Sequence, residues 1–598
     1  MSSVPERSEV AEVDTWNLEA IFASEAEWRE AVADVRSQLE SIRTAEGSVT
    51  TDAETLRSVL EERDELLKRT ETVAAYARMR RDEDTRDQDA QALHSEGSAL
   101  VAEVRSAVSF IEPEIQSLEW ADLAEMIETE PGLERYDHHL NDVMRRKRHT
   151  RSAEVEAVLA DLSEVTGSPG EIYTMLANAD LTFPTVEEPS GESVQITQSN
   201  LTRLLKRPER SFRQSVYESY FDEWENIRNT VATAYRNSVK ADVRLARTRE
   251  YESARAAALD GPNVPVSVYD TLVETVRDGL DPLHRHLELK REALGVEELR
   301  PWDLYMPVTE TESPEVPYED AREHVVASLE PLGADYQQQV SEGLDSRWVD
   351  VYETAGKRSG AYSGGTYETD PYILMNYQDT VSSMFTLAHE LGHSMHSELT
   401  AENQPYVYAD YEIFVAEVAS MVHEGLLTAH LLENGDPELV PHVLSESLER
   451  VRSTLYRQTL FAEFEHRVHT LEEDGEPLTA DRLDELYRSL KAAYYEPTAL
   501  DDRIDREWMR IPHFYRAFYV YQYATGISAA MAIVERIRSE GASAAADYRT
   551  FLSRGSRGYP LELLSLTGID IESGAAFERA LERYGERVNE FERIDRND

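Results

Sequence analysis

Residues 381–396 read Val-Ser-Ser-Met-Phe-Thr-Leu-Ala-His-Glu-Leu-Gly-His-Ser-Met-His, and the rest of the chain is interpreted from this stretch. Its apolar residues recur at helical spacing: Val381, Met384, Phe385, Ala388, Leu391, Gly392 and Met395. Asp379 or Thr380 can cap the start of that helix. Because a helix turns about 400° in four residues, His389 and His393 project side by side, one turn apart.

Two histidines with a glutamate between them indicate a metal site. Imidazoles at this spacing can share one zinc ion at about 2.0–2.1 Å each. Glu390 is offset from both imidazoles, so it can reach a water on the metal without binding the metal itself. This is how His-Glu-x-x-His works in metalloproteases. The alternative is a buried helix with satisfied core histidines, but a buried glutamate beside two histidines needs a partner for its charge.

A catalytic zinc site needs a third protein ligand and one open position. His396 stands one further turn along the same helix and is interpreted as a residue that supports the ligands or fills the core. Glu417 and Glu424 lie on one face of a second helix, which can run antiparallel to the first. We take Glu417 as the third ligand, with Glu424 and Ser420 orienting the ligands. Glu412 stays open as an alternative ligand, although a solvated surface position suits it better.

Length and composition limit the class of protein. The 598 residues exceed what one core usually fills, so two or three lobes are expected. Hydrophobic residues make up 41% of the chain, and no stretch of about eighteen apolar residues occurs that would span a membrane. The N-terminus lacks the basic and apolar regions of a secretory signal, so a cytoplasmic location is expected. The absence of cysteine excludes disulfides, thiolate zinc sites and cysteine nucleophiles, so His, Asp or Glu must hold any metal.

The formal net charge is -55, which describes a strongly acidic surface. Such a surface repels nucleic acid and anionic lipid, and neither is expected as a partner. Disorder is the other reading of such a charge, but the apolar content and the long amphipathic segments argue against it. Lysine is rare, and concentrated salt screens the repulsion among carboxylates to a few ångströms. We therefore expect that the protein works in the cytoplasm of a halophile. The alternative is an acidic protein from a mesophile.

Most of the chain has a helical pattern. Apolar residues recur three and four apart from Asp52 to about Ser109 and from Ala153 to Ala179, and Gly167-Ser168-Pro169-Gly170 is predicted to break the second segment into two helices. A lobe boundary is predicted in the turn-rich residues 181–198. Tyr372-Ile-Leu-Met-Asn-Tyr377 reads as a short strand, one of very few candidates. Further loops are predicted at residues 260–266, 299–317 and 358–370.

Taken together, these residues resemble the thimet oligopeptidase family of zinc metallopeptidases, most closely its oligoendopeptidase F branch. The resemblance rests on motifs in the right order: Asn376-Tyr-Gln-Asp379, Thr386-Leu-Ala-His-Glu-Leu-Gly-His-Ser-Met-His396, Phe414-Val-Ala-Glu-Val-Ala-Ser420, Ile511-Pro-His-Phe-Tyr515 and Phe518-Tyr-Val-Tyr-Gln-Tyr-Ala-Thr-Gly526. It covers the chain from about residue 113 onward, with a looser helical part before that. One departure is that thimet-type members carry a further tyrosine near the position of Gly526.

The resemblance implies a mainly α fold, in which two helical lobes enclose a deep substrate channel and a zincin-type helix lies beside a small edge sheet. It implies one zinc ion per chain, held by His389, His393 and Glu417, with Glu390 as general base. The strand at residues 372–377 is expected to be the edge strand along which the peptide lies. The expected domains are an N-terminal helical region (1–112), an oligoendopeptidase F-type N-terminal domain (113–200) and a zinc peptidase catalytic domain (201–598).

The resemblance also implies that His513, Tyr519 and Tyr523 face the site, where hydroxyl and imidazole donors suit a developing oxyanion. An aromatic core stripe is the alternative reading of this tyrosine run. The glycine-rich segment Gly360–Gly365 can clamp the substrate backbone, with a plain surface loop as the alternative. The expected substrate-binding residues are Gly360, Ala361, Tyr362, Tyr372 and Ile373.

The sequence thus predicts a zinc-dependent endopeptidase that hydrolyses short peptides by attack of a metal-bound water, with Glu390 as general base. Two alternatives stay open. One is a zinc carboxypeptidase or dipeptidase on a similar helical scaffold. The other is a non-catalytic peptide-binding protein that kept the channel and lost turnover.

Overall fold

The computed structural model describes residues 4–307, 309 and 313–595, and within them the fold is mainly helical, as predicted. About 70% of the structure is helix, with only small sheets. Part of the loop predicted at residues 299–317 lies outside the described residues, whereas the loop predicted at 260–266 is present between two helices. Among the described residues, every helix is too short or too polar to cross a bilayer.

The α-helices are, in chain order, α1 (Glu25–Arg43), α2 (Ala53–Glu83), α3 (Gln88–Val108), α4 (Ile111–Gln116), α5 (Trp120–Thr129), α6 (Asp137–Arg146), α7 (Ala153–Asp161), α8 (Ser163–Met175), α9 (Leu201–Leu204), α10 (Arg210–Asn226), α11 (Arg228–Thr248), α12 (Ala254–Asp260), α13 (Val266–Asp278), α14 (Asp281–Ala293), α15 (Tyr318–Ser328), α16 (Ala334–Asp345), α17 (Val381–Asn403), α18 (Ile413–Asn434), α19 (Val440–Val451), α20 (Arg457–Glu473), α21 (Ala480–Tyr494), α22 (Tyr521–Glu540), α23 (Ala542–Leu552), α24 (Pro560–Leu566) and α25 (Ala575–Asp595). The strands are β1 (Thr185–Glu187), β2 (Ser193–Gln195), β3 (Val349–Tyr352), β4 (Tyr362–Ser363) and β5 (Ile373–Tyr377). Short 3-10 helices, among them Ile504–Arg510 and Pro512–Tyr515, connect some of these elements.

The described chain divides into two compact units. The first unit lies within Met1–Arg148, Pro314–Asn434 and Ile533–Ile569, and the second within His149–Ser313, Gly435–Ala532 and Asp570–Asp598. The lobe boundary predicted at residues 181–198 falls inside the second unit, where β1 and β2 form an antiparallel hairpin. The three consecutive domains and the channel that the resemblance implies stay predictions.

The core of the first unit begins at its N-terminal helices. α2 starts where Asp52 accepts a hydrogen bond from the backbone N–H of Thr55, at 2.8 Å, and its apolar stripe packs against α3 and α1. Trp28 of α1 is fully buried and donates its indole N–H to the carbonyl of Val73 at 2.9 Å. The same cluster of buried side chains extends to the strand region through Tyr372 and reaches Leu374 of β5. The helices therefore support the sheet from one face.

The sheet of the first unit has the strand order β3-β5-β4. β5 pairs in parallel with β3 and in antiparallel fashion with β4, where Ser363 lies opposite Ile373. The prediction that residues 372–377 form the edge strand is therefore wrong, because β5 is the central strand. The edges are β3 and β4, and the two residues of β4 are too few to show a strand period in the sequence.

The predicted break at Gly167–Gly170, in the second unit, is also wrong. The helices α7 and α8 are separated at Leu162, and Pro169 lies inside α8. Pro169 is buried, and the ring of Tyr173 stacks on that of Tyr515 with centroids 4.6 Å apart. Packing against the unit thus outweighs the local helix-breaking tendency of proline and glycine.

Candidate metal centre and aromatic cluster

The helix α17 begins as the sequence predicts. Thr380 caps it by accepting a hydrogen bond from the N–H of Ser383 at 3.1 Å. Its apolar residues are buried, and the rings of His389 and His393 lie edge to face with centroids 4.8 Å apart and an interplanar angle of 84°. The two imidazoles therefore lie one turn apart on one face, as predicted.

A close approach of α18 to α17 brings Glu417, the predicted third ligand, near the histidines. A Cβ atom on Gly392 would lie 2.5 Å from Cα of Ser420, so only glycine lets the two backbones come this near. Further along, the ring of His396 stacks on Tyr411 at 3.7 Å, close to the start of α18. The N-terminal part of α18 thus packs against the C-terminal part of α17, so the two helices are antiparallel. Glu417 therefore lies beside the histidines.

His389, His393 and Glu417 form what we call the metal cluster. One ligand atom from each residue lies within 4.8 Å of the other two, and Nε2 of His389 is 4.0 Å from Oε2 of Glu417. Two imidazole nitrogens and one carboxylate oxygen are the donor set of many catalytic zinc sites. The residues present therefore fit a divalent metal ion.

Glu424 fixes the orientation of His389, because its Oε1 lies 2.7 Å from Nδ1 of that ring. Nε2 is thereby left to face Glu417, which is the arrangement in which a carboxylate holds a metal-binding imidazole. Burial lowers the pKa of His389, but the hydrogen bond and charge of Glu424, with the charges of Glu390 and Glu417, raise it to about 9. The carboxylates around the ring supply negative charge that a bound cation would balance.

Glu390 lies on the same helix as His389, but its carboxyl group has different neighbours. It is 7% exposed, and the backbone N–H of Ser363 on β4 lies near enough to its carboxyl group to favour the charged form. Burial raises the pKa of Glu390 to about 7, with His389 lowering it and Glu417 raising it further. The hydroxyl of Ser363 is in turn 2.9 Å from that of Ser394. Sequence reasoning missed Ser363 as a partner of Glu390, although the residue lies inside the glycine-rich segment it singled out.

Two residues predicted to support the ligands do so only indirectly. The hydroxyl of Ser420 donates to the backbone carbonyl of Glu417 at 3.0 Å, so it contacts the helix rather than the carboxylate. His396 is buried between Tyr411 and Phe551, and burial lowers its pKa to about 3. This is the core position that the sequence left open for it. The alternative ligand Glu412 is exposed.

The residues predicted to bind substrate lie on or beside the sheet. Gly360 has a φ of 89°, a left-handed turn conformation that suits glycine, and Ala361 is partly exposed. The hydroxyl of Tyr362 donates to Asp82 at 2.9 Å. Tyr372 and Ile373 are 1% and 0% exposed, so their side chains belong to the core of the first unit.

The second unit brings together the other predicted residues, His513, Tyr519 and Tyr523, which we call the aromatic cluster. The rings of His513 and Tyr519 are parallel to within 3°, with centroids 5.8 Å apart. The Tyr523 ring stands across both, and its hydroxyl is 3.4 Å from that of Tyr519. Burial, with the charges of Arg516 and Arg457, lowers the pKa of His513. All three side chains keep some exposure, so their polar atoms can meet a ligand.

Comparison with known proteins places this arrangement in a family. Residues 203–583 match Peptidase family M3, and residues 114–183 match the Oligopeptidase F domain. The chain belongs to peptidase family M3. It is therefore a metallopeptidase, and peptides are its substrates. Membership of this family implies a metal cofactor, in agreement with the metal cluster.

Relatives of this M3 peptidase span its full length. It is 40% identical to Oligopeptidase PepF of Bacillus subtilis, over 99% of this chain and 89% of that protein. It is 36% identical to Group B oligopeptidase PepB of Streptococcus agalactiae, over 98% of each chain. The crystal structure of oligoendopeptidase-F from Enterococcus faecium matches with a TM-score of 0.74 at 34% identity, covering 96% of this chain and 99% of that one. A crystal structure from Chlamydophila abortus matches with a TM-score of 0.89 at 29% identity, covering 98% and 99%.

Proposed function

We propose that this M3 peptidase is a zinc-dependent oligopeptidase that cuts short peptides at internal bonds. The observation that carries the proposal is the metal cluster, with Glu390 beside it on the same buried helix. The names of its relatives, which are oligopeptidases, support the short substrate.

Zinc is the metal we propose, one ion per chain, held by His389, His393 and Glu417. Nitrogen and carboxylate donors suit zinc, and a three-residue set leaves a coordination position open for substrate or water. A zinc ion there would supply Lewis-acid polarisation of the scissile carbonyl.

Glu390 is proposed as the general base. Its carboxyl group is buried near the charges of His389 and Glu417, and the backbone N–H of Ser363 favours its charged form. From there it accepts a proton from the attacking water and passes it to the leaving amine. Glu424 keeps His389 in the required orientation throughout.

His513, Tyr519 and Tyr523 are proposed to donate hydrogen bonds to the oxygen that becomes negative in the transition state. Tyrosine hydroxyls and an imidazole N–H are suitable donors, and burial lowers the pKa of His513, which disfavours a second proton on the ring. The clustering of the three side chains in the second unit and the resemblance to thimet-type peptidases support this role.

We also propose that the peptide pairs with the edge strand β4, whose segment Gly360–Gly365 carries Ala361 and Tyr362. The central strand β5 already pairs with a strand on each side. Tyr372 and Ile373 would therefore affect peptide binding only indirectly, by shaping the sheet that carries β4. The predicted division into domains 1–112, 113–200 and 201–598, and the cytoplasmic location, are kept as proposals on the same footing.

The deciding experiment uses the Glu390→Gln variant. We expect it to bind zinc like the parent protein while turnover of an internally quenched peptide falls roughly 100- to 10,000-fold, because the amide cannot accept the proton. Glu412→Gln is the matched control, since that exposed residue should change neither zinc content nor rate. Retention of most of the activity by Glu390→Gln would show that the base is another residue.

The same peptide with a blocked C-terminus distinguishes the two other readings. A carboxypeptidase or dipeptidase would need the free terminus, and a binding protein would release no product. A chelator should abolish internal cleavage, and added zinc should restore it.

The acidic surface leads to a separate proposal, that the enzyme works in concentrated salt. Formal net charge is -55, and its self-repulsion is screened only when the ionic strength is high. Dilution into low salt should therefore unfold the protein, which circular dichroism would detect. A fold that persists in low salt would favour the mesophile alternative.

A further inference from the structure

One buried acid of the second unit has no role in the chemistry proposed above. Glu465 on α20 is 0% exposed, and it forms no ion pair with any residue that the structure describes. Its Oε1 accepts a hydrogen bond from the backbone N–H of Phe518 at 2.8 Å. Its Oε2 is buried and makes no hydrogen bond within the described chain. A carboxyl group buried in this way is costly unless it serves a specific contact.

The residue whose backbone N–H binds Glu465 has an unusual conformation. Phe518 has a φ of 55°, in the left-handed region that bulky residues rarely adopt. Its side chain is 2% exposed and packs with ring centroids 4.6 Å from His469 and 5.8 Å from Tyr269. The ring and the hydrogen bond from its N–H to Glu465 together hold the residue in this conformation.

Phe518 stands directly before Tyr519 and just before the first turn of α22. The chain leaves the 3-10 helix Pro512–Tyr515, passes through the left-handed Phe518 and enters α22 at Tyr521. The left-handed residue therefore sets the direction in which Tyr519 leaves the backbone. Tyr519 then lies parallel to His513, the geometry of the aromatic cluster.

We propose that Glu465 is a positioning residue of the peptidase reaction, which holds Phe518 in its left-handed conformation and so aims Tyr519 alongside His513. The inference rests on the proposed function, in which Tyr519 and His513 donate hydrogen bonds to the reacting carbonyl. Burial raises the pKa of Glu465 to about 8, although His469 and the N–H of Phe518 lower it, so the group is largely uncharged near neutral pH. What the position needs is a carbonyl oxygen that accepts a hydrogen bond.

The first test compares two replacements of Glu465. Glu465→Gln keeps a carbonyl acceptor at the same reach, so we expect kcat within about threefold of the parent. Glu465→Met has similar length but no acceptor, so we expect kcat to fall roughly 10- to 100-fold with KM and bound zinc unchanged. Should the methionine variant fold poorly, Glu465→Asp retracts the acceptor by one methylene and should lower kcat by a smaller factor.

Glu463→Met is the matched control. Glu463 is a buried acid on the same helix, two residues away, but it pairs with Arg277 and Arg467. Its loss should lower the melting temperature and leave kcat unchanged. Equal kcat values for Glu463→Met and Glu465→Met would overturn the inference, as would a glutamine variant as slow as the methionine variant.

A double variant separates this inference from the proposed function. If Glu465 acts through Tyr519, Glu465→Met should cost less than about threefold in a Tyr519→Phe background, because the aimed hydroxyl is already gone. A full multiplication of the two losses would overturn the inference and leave the proposed function standing. A Tyr519→Phe enzyme with parental kcat would instead remove Tyr519 from the proposed function itself.

Discussion

The metal cluster of the first unit and the aromatic cluster of the second are built in different ways. Three of the groups around the metal site project from two long helices whose backbones touch at Gly392. The aromatic cluster is assembled from a 3-10 helix, a left-handed residue and the first turn of a helix. The first arrangement is fixed by regular secondary structure, and the second by a few local contacts.

The difference matches what each cluster would have to do. A metal ion tolerates little error in the position of its ligands, so a rigid helix pair suits it. Hydrogen-bond donors to a transition state must be aimed at an oxygen whose position changes during the reaction. The aromatic cluster is held by single contacts, such as the hydrogen bond from the N–H of Phe518 to Glu465. It is therefore more sensitive than the metal cluster to small structural changes nearby.

The largest effect is expected from His393→Ala. If the proposed function holds, removal of one of the three ligands should abolish zinc binding. Peptide cleavage should then drop roughly 10,000-fold or more, because activation of the water and polarisation of the carbonyl both depend on the bound metal. Metal analysis after dialysis and the quenched-peptide assay would measure this. His430→Ala, which removes a partly exposed histidine of α18 outside the cluster, should keep both zinc and activity. A His393→Ala enzyme that stays active would contradict the assigned ligand set.

A smaller effect, without loss of metal, is expected from Tyr519→Phe. The loss of one hydroxyl donor should lower kcat roughly 100-fold, while zinc content and KM stay close to parental values. Tyr515→Phe is the control, since the hydroxyl of Tyr515 is buried and has no hydrogen-bond partner among the described residues. The contrast between the clusters would fail if Tyr519→Phe also released the metal.

How far the sequence could predict the two clusters follows from their construction. The positions of His389, His393 and Glu417 follow from helical spacing, so a periodic pattern was enough to choose the histidines and to offer Glu417. His513 and Tyr519 sit on irregular backbone, and only the resemblance to a family brought them forward. Nothing in a sequence marks Phe518 as left-handed.

The errors in the fold have the same origin. Pro169 and its glycine neighbours predict a break, but tertiary packing of α8 keeps them helical. The strand at residues 372–377 was found by its pattern, whereas its central place depends on β4, which is too short to be seen. Partners that are distant in sequence decide both features, and a single sequence does not contain them.

Gly392→Ala would test the rigidity of the helix pair. The new methyl group would meet Cα of Ser420 at 2.5 Å and the carbonyl oxygen of Ala419 at 2.8 Å. We expect a loss of about 1–3 kcal/mol in the free energy of unfolding, which exceeds what alanine gains in helix propensity. Gly97→Ala on α3 is the control, because its methyl group would lie 3.4 Å from Cβ of Ala77, an ordinary contact. Equal melting temperatures for the two variants would show that α17 and α18 can separate without cost.

The most gradual effect, which builds up only over several pH units, is a pH dependence in the second unit. Glu465 keeps its proton in the folded state up to a pKa of about 8, raised from 4.5 by burial and lowered somewhat by His469, while Asp242 raises it. The unfolded chain releases that proton near pH 4.5, so between these values the folded state binds more protons and the stability of the parent protein falls as pH rises. Glu465→Gln cannot lose a proton, so its melting temperature should gain on that of the parent protein steadily from pH 5 to pH 8, by at most about 1.4 kcal/mol per pH unit in free energy. Calorimetry of both proteins across this range measures the difference. Parallel curves would mean that Glu465 is already ionised in the fold, and its hydrogen bond to Phe518 would then be that of a buried carboxylate.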